Sequence, residues 1–283
     1  MSGQLEAFRR FVASAGRKAS RASEDRVVIV GSGKGGSGTS TVAALLGLAC
    51  AGEGYRTLLV DGDELVGTLH RLFGIDAPAG LHLIRAGAAA PADHVRELGG
   101  GLSLLPGGPG DAPPGSSGAD ALSRSERHAL FRRISQLYDG YDVAVIDAGS
   151  RLDAVTSAVT GGARRILTVT DDGVVAAAAG YALIKAMQGA WPGVPVDVVV
   201  NRHDDARGRA VFERLQDACM RFLGRDVEYA GAIPDDERLR QELLAGQPVG
   251  GIPETTVARQ AAAGLARRLL SRLEDGALRS NLA

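Results

Sequence analysis

The chain is nearly without lysine: of its 32 basic residues only Lys18, Lys34 and Lys185 are lysine, and the rest are arginine. Basic positions indifferent to type have become arginine, so a lysine kept inside a motif, as Lys34 is, points to a need for a compact ammonium. Cysteine is scarce too. Cys50 and Cys219 lie far apart with no C-x-x-C spacing, which indicates neither a disulfide framework nor a zinc site and suits a reducing cytoplasm. No apolar run approaches the length of a bilayer span, and the N-terminus lacks the apolar core of a secretion signal. The expected location is the cytoplasm, with peripheral contact at the inner face of the cell membrane left open. The formal charge of −1 argues against a globally basic nucleic-acid binder.

What the chain does have is regular alternation. Apolar runs recur at Val27–Val30, Thr57–Val60, Leu102–Leu105, Val143–Ile146, Ile166–Val169, Val196–Val200 and Val227–Ile233. Between them lie helix candidates at Ser125–Tyr138, Val175–Met187, Arg209–Leu223, Arg238–Ala245 and Thr255–Leu273. Strands alternating with helices predict an α/β fold with a mostly parallel sheet covered on both faces. No linker divides the 283 residues, so a single domain over 26–273 is expected. The Gly/Pro-rich stretch Pro106–Asp120 can propagate neither element and reads as a surface loop.

Two terminal pieces stand apart. In 1–25, Leu5, Phe8, Phe11, Val12 and Ala15 fall at helical spacing among Arg9, Arg10, Arg17 and Lys18. Such a basic amphipathic extension can pack on its own domain, dock on a protein partner or touch a membrane. In Thr255–Leu273, Val257, Ala261, Leu265, Leu269 and Leu273 share a face with no Trp or Phe anchor, which suits core packing or membrane contact. Glu274-Asp275-Gly276 ends that pattern and leaves 274–283 as a tail.

The chemistry concentrates after the first apolar run. Gly33-Lys34-Gly35-Gly36-Ser37-Gly38-Thr39-Ser40 matches the phosphate-binding pattern G-x-x-x-x-G-K-[ST] at both glycines and the hydroxyl, but Thr39 stands where the lysine belongs. A strand precedes the loop and Thr41 opens an apolar helix, so backbone amides of the loop and helix start would face an anion. Two further strands end in acids, Asp61-Gly62-Asp63 and Asp147. Ligands in open parallel sheets gather at the strands' carboxyl ends, so Asp61, Asp63 and Asp147 could converge on the loop. Acids there can hold Mg²⁺ through its waters, with Ser40 as a direct ligand, and orient an attacking water.

These residues carry a resemblance. Ser32-Gly33-Lys34-Gly35-Gly36 with Asp61-Gly62-Asp63 resembles the MinD/ParA family of P-loop ATPases, whose deviant loop carries an early signature lysine, here Lys34. Within that family the chain is most similar to flagellar-number regulators of FlhG/FleN type. The similarity lies in Tyr181-Ala182-Leu183-Ile184-Lys185, Val211-Phe212-Glu213-Arg214-Leu215, Arg221-Phe222-Leu223-Gly224, Glu228-Tyr229 and Gly231-Ala232-Ile233-Pro234-Asp235-Asp236. Gln4-Leu5-Glu6-Ala7-Phe8-Arg9 is similar to their N-terminal activation motif D-Q-A-x-x-L-R, with Gly3, Leu5 and Phe8 replacing aspartate, alanine and leucine.

The resemblance implies a P-loop NTPase fold of SIMIBI type with ATP and Mg²⁺ as cofactors. It implies that Gly33 through Thr41 cradle the phosphates and that Lys34 reaches across an ATP-dependent homodimer to the partner's phosphates. It further implies that Ser40 and Asp61 serve Mg²⁺, that Asp63 positions the attacking water and that Asp147 is the Walker B carboxylate. Asn201-Arg202 resembles the segment that reads adenine and Pro234-Asp235 the loop flanking the base; an amide side chain offers a purine edge adjacent donor and acceptor groups. The expected protein partner of the N-terminal helix is an FlhF-like GTPase or a flagellar switch component.

Departures from the family pattern qualify the activity. Thr39 supplies no ammonium; hydrogen bonds to charged groups are worth about 1.5–3 kcal/mol, so ATP binding would weaken by roughly one to two orders of magnitude. After Asp147 the usual Thr-Gly-Ala-Gly-Ile becomes Ala148-Gly149-Ser150-Arg151-Leu152, and Thr170–Ala179 has alanine and valine where polar interface residues are usual. Arg151 could lend the missing charge or salt-bridge to a nearby carboxylate. The expected function is a FlhG/FleN-like regulator of flagellar number or placement, an ATP-dependent dimerising switch with impaired or absent hydrolysis. The alternatives are a non-hydrolysing localisation platform similar to TadZ/CpaE and a ParA-like partitioning ATPase.

Overall fold

Residue alternation along β1 (Val27–Ser32) sets up a two-faced sheet: Val27 and Ile29 enter one core, Val28 and Val30 the other. The structure, a computed structural model, describes residues 26–76, 80–85, 90–108 and 122–280. The N-terminal extension at 1–25 and most of the Gly/Pro-rich stretch, from 109 on, lie outside the described residues.

After β1 the chain forms α1 (Thr39–Gly52), β2 (Thr57–Asp61), two short helices α2 (Leu69–Leu72) and α3 (Leu81–Arg85), then β3 (Arg96–Gly99) and β4 (Leu102–Leu105). Alternation then resumes with α4 (Arg124–Ile134), β5 (Val143–Asp147), α5 (Leu152–Thr160), β6 (Arg165–Thr170), α6 (Val174–Ala190), β7 (Val196–Asn201), α7 (Asp205–Leu223), β8 (Glu228–Ile233), α8 (Glu237–Leu244) and α9 (Val257–Ser280). One eight-stranded sheet results, in the order β3-β4-β2-β5-β1-β6-β7-β8. Among the described strands, only β3 at the edge runs antiparallel, against β4. The molecule is a single α/β domain with helices on both faces, as its strand–helix alternation predicts.

Each face has its own core. Phe131 and Ile134 of α4, Val155 of α5, Leu183 and Met187 of α6 and Phe212 and Leu215 of α7 close one. Leu45 and Leu46 of α1 with Leu265 and Leu269 of α9 close the other. Burying each such side chain contributes about 1.5–3 kcal/mol. The C-terminal helix therefore spends most of its apolar stripe inside: Leu265, Leu269 and Leu273 are buried and Ala261 is half-buried, while Val257, assigned to that stripe from the sequence, is exposed. The helix also continues through Gly276 to Ser280, beyond the end expected at 274–276.

Elements without an apolar run escaped the sequence reading. β3 is Arg-Glu-Leu-Gly on the sheet's edge, and the turn to β4 uses Gly99, Gly100 and Gly101 at positive φ. α5, rich in β-branched residues, has low helix propensity and is held by burial of Ala154, Val155 and Ala158. β5 is inserted between β1 and β2, and β1 has β6 on its other side, so strand connections diverge at β1. That divergence opens a crevice at the carboxyl end of β1.

Candidate functional site

The loop between β1 and α1 occupies that crevice. Gly36 and Gly38 sit at φ 83° and 84°, a left-handed conformation only glycine takes without strain. Gly38 is the N-cap of α1 and offers no side-chain cap, so the first amides of this 14-residue helix face the crevice without a side-chain partner. Bare amides at a helix start make an anion site.

Thr39 does not stand in for a lysine. Its hydroxyl donates to Ser32 Oγ at 2.9 Å, and Ser32 Oγ donates to the Lys34 carbonyl at 2.9 Å. Ser37 Oγ donates to the same carbonyl at 3.1 Å. Three hydroxyls thus fasten the loop from within, and Thr39 is buried. Lys34 itself is exposed at the loop's outer edge.

The loop is also braced from β7. Asn201 Nδ2 donates to the Ser37 carbonyl at 2.9 Å, and its Oδ1 accepts the Arg202 amide at 3.0 Å. Arg202, at φ 66°, sends Nη2 to the Gly36 carbonyl at 2.9 Å. Both residues read from sequence as adenine contacts therefore hold the loop backbone, with Asn201 buried and one amide hydrogen committed. Pro234 and Asp235 follow β8; Asp235 is exposed, 3.5 Å from Arg240 Nη1. Neither lines the cavity beside the loop.

That cavity measures about 390 Å³, within the range of small-molecule sites. Gly35, Gly36, Gly38, Thr39, Ser40 and Thr41 line it on one side, and Asp61, Asp63, Thr68, Asp147 and Arg151 are among the residues on the other. Asp61 and Asp147 are partners in the β2–β5 register, both buried. Asp61 accepts the amides of Asp63 at 3.2 Å, Thr68 at 2.7 Å and Leu69 at 2.9 Å. Desolvation and the charge of Asp147 nevertheless push its pKa up to about 7, those amides offsetting only part. Asp147 is pushed up to about 6 by desolvation, opposed by the Ser40 hydroxyl and the Gly149 amide. The Ser40 hydroxyl also accepts a hydrogen bond from Thr68 Oγ1 at 3.0 Å.

This chemistry fits the expected cofactors. Hydroxyl and carboxylate oxygens are the donors Mg²⁺ takes, and two buried acids side by side favour a divalent cation between them. Among the described residues no group of three or more His, Cys, Asp or Glu could hold an ion unaided. Mg²⁺ needs none, because it keeps waters and shares phosphate oxygens. The loop amides and the helix start suit the phosphates of ATP.

An ionic cluster adjoins the cavity. Arg127, on α4, is buried and donates from Nη2 to the buried Glu64 Oε1 at 2.6 Å and from Nη1 to Asp153 Oδ2. Arg151 reaches the same pair, with Nη2 3.4 Å from Glu64 Oε1 and 3.1 Å from Asp153 Oδ2, and its Nη1 lies 3.8 Å from Asp63 Oδ1. Sequence reading noted Arg151 but missed Glu64, Arg127, Asp153 and Thr68. Glu64 directly follows Asp61-Gly62-Asp63 and could have been suspected; Arg127, in a helix of polar character, carries no such signal.

Comparison with known proteins agrees with this architecture. The family model described as cellulose biosynthesis protein BcsQ matches residues 26–270. The antiactivator FleN of Pseudomonas aeruginosa is 30% identical over 218 residues, 76% of this chain and 76% of that protein. The flagellum site-determining protein YlxH of Helicobacter pylori is 27% identical over 256 residues, 89% of this chain and 84% of that protein. Among solved structures, the cell division ATPase MinD of Pyrococcus furiosus superposes with a TM-score of 0.68 at 24% identity, covering 88% of this chain and 99% of that one. MinD of Pyrococcus horikoshii, solved with Mg-ADP, gives 0.66 at 25% identity, covering 86% and 95%.

Proposed function

The chain belongs to the MinD/ParA-like family of the cellulose biosynthesis protein BcsQ, and from that premise we propose that it is a nucleotide-binding regulator of cellular positioning, acting on flagellar number or placement. The similarity to FleN and to a flagellum site-determining protein supports the flagellar assignment. ATP with Mg²⁺ is the ligand. Gly35, Gly36 and Gly38 through Thr41 receive the phosphates, Ser40, Asp61 and Asp147 serve the ion, and Asp63 orients a water. Lys34, exposed at the loop's edge, is available to a second copy's phosphates in an ATP-dependent dimer. Val174 and Val175 at the start of α6, 86% and 65% exposed, supply an apolar rim for the same contact.

One observation carries the reading of impaired turnover: residue 39 spends its hydroxyl on Ser32, so the loop offers the transferring phosphoryl no ammonium of its own. A cycle that binds and dimerises but resets slowly follows. The partner is a protein; the near-neutral charge argues against DNA. Among the described residues no helix is long and apolar enough to cross a membrane, and the apolar stripe of the C-terminal helix is buried.

Deleting the gene in its host and counting flagella per cell tests the assignment. A change in number or position is expected, restored by the wild-type gene; unchanged flagella would overturn it. Thr39 in place of the loop's lysine favours a second reading, a non-hydrolysing localisation platform for pilus or secretion assembly. Unchanged flagella together with a secretion or pilus defect would select it.

A further inference from the structure

We propose that Arg151 is the cation that meets the bound phosphates, taking the part that residue 39 cannot; this rests on the nucleotide reading above. Among the described residues that line the cavity, Arg151 is the one lysine or arginine, and the other charged groups are Asp61, Asp63 and Asp147. A polyphosphate entering that lining meets three acids and a single cation. Thr39 is tied to Ser32, and Lys34 is not among the lining residues.

The guanidinium is held in a way that lets it go. Its contact with Asp63 is long, at 3.8 Å, and its side chain keeps 30% of its surface exposed. Its partners Glu64 and Asp153 do not depend on it, because Arg127 binds both. When Arg151 turns to a phosphate, neither carboxylate is left without a cation, which is the usual obstacle to breaking a partly buried ion pair.

Its backbone setting disfavours it at rest. Arg151 is the N-cap of α5, at the positive end of the helix dipole, where a cation is unfavourable and an anion favourable. Asp153 in the first turn offsets this now, and a phosphate beside the guanidinium would do so more fully. Gly149, two residues earlier, is held by its amide to Asp147 Oδ1 at 3.0 Å and by its carbonyl to the Ser32 amide at 2.8 Å, so the backbone stays in place and only the Arg151 side chain need turn. Arginine also binds phosphate through a planar fork, at an angle a lysine at 39 would not use.

Calorimetric titration of ATP with Mg²⁺ into the full chain tests this, using wild type, Arg151→Ala, Arg151→Lys, Thr39→Lys and the double variant Thr39→Lys/Arg151→Ala. Thermal melts in parallel report whether each variant is folded. Arg151→Ala is expected to weaken ATP binding about 10- to 100-fold. Arg151→Lys should retain an intermediate affinity. In the Thr39→Lys background the same alanine substitution should cost less than about 3-fold, since either cation then serves the phosphates. If wild type binds ATP and Arg151→Ala binds it equally well, the proposal is overturned. An equal loss in both backgrounds also overturns it, because that marks support of the fold rather than contact with phosphate. A wild-type chain that takes up neither ATP nor ADP would sink the nucleotide reading itself, and this inference with it.

Discussion

The Thr39 hydroxyl donates to Ser32 Oγ across the phosphate loop, closing a chain that ends on the Lys34 carbonyl. Residue 39 therefore helps to shape the loop instead of charging it. Thr39→Val should cost about 0.5–1.5 kcal/mol, the net worth of one buried hydrogen bond, while leaving the loop's glycines and amides in place. Thr39→Lys should lose that bond yet bind ATP more tightly than wild type. Urea denaturation and ATP titration on the two variants separate these effects; a Thr39→Lys chain with unchanged affinity would show that the cavity does not use an ammonium there.

Asp61 and Asp147 should make the metal-free protein sensitive to pH. Both carboxyls are raised above their unfolded value, so the folded state holds protons that the unfolded state has released. Their contribution to stability is full below about pH 4 and falls as pH rises toward about 7, where the folded groups ionise beside one another. Mg²⁺ should reverse the loss, with a larger rise in melting temperature at pH 8 than at pH 5, because the acids must be ionised to accept it. Asp147→Asn should flatten both dependences. An Mg²⁺ effect that survives this substitution would place the ion elsewhere.

The parts legible in the sequence were those where one residue type permits one role. Gly33 and Gly38 marked a phosphate-binding loop, and the apolar runs Thr57–Val60 and Val143–Ile146 announced strands whose terminal acids, Asp61 and Asp147, fall in register. The parts that stayed hidden depend on long-range partners. Asn201 could be seen as a polar residue at a strand end, but its bond to the Ser37 carbonyl links positions 164 residues apart. The Arg127–Glu64 pair joins a helix to a loop across 63 residues, and nothing local to either residue shows it. β3 was missed because an exposed Arg-Glu-Leu-Gly edge has no apolar period to read.

That pair also sets a stability prediction. Glu64 and Arg127 are 1% and 2% exposed, so removing the carboxylate leaves a buried guanidinium with only Asp153 and the outer rim to compensate it. Glu64→Ala should destabilise by about 3–5 kcal/mol, whereas Glu64→Leu with Arg127→Met should recover much of that loss. Denaturant midpoints for the single and double variants measure the difference. A double variant as unstable as the single one would mean that the pair orders the chain beyond its charge balance.

Two glycines of the loop separate packing from ligand contact. A methyl on Gly33 would overlap the carbonyl oxygen and Cα of Ala179, a backbone obstacle that no side-chain rotation relieves. Here the backbone of α6 at Ala179 presses directly on the loop. Gly33→Ala should therefore cost about 1–3 kcal/mol or more and shift α6 with the loop. Gly35 differs: its added methyl would meet only Ser150 Oγ, at 3.7 Å, and its φ is not in the left-handed range. Gly35→Ala should melt close to wild type. Because Gly35 lines the cavity, that methyl should still obstruct phosphates and weaken ATP binding by tenfold or so, about 1.4 kcal/mol. Melting curves and ATP titrations on both variants read the two effects independently. If Gly35→Ala keeps both its stability and its affinity for ATP, the phosphates do not approach the loop from the side that the cavity defines.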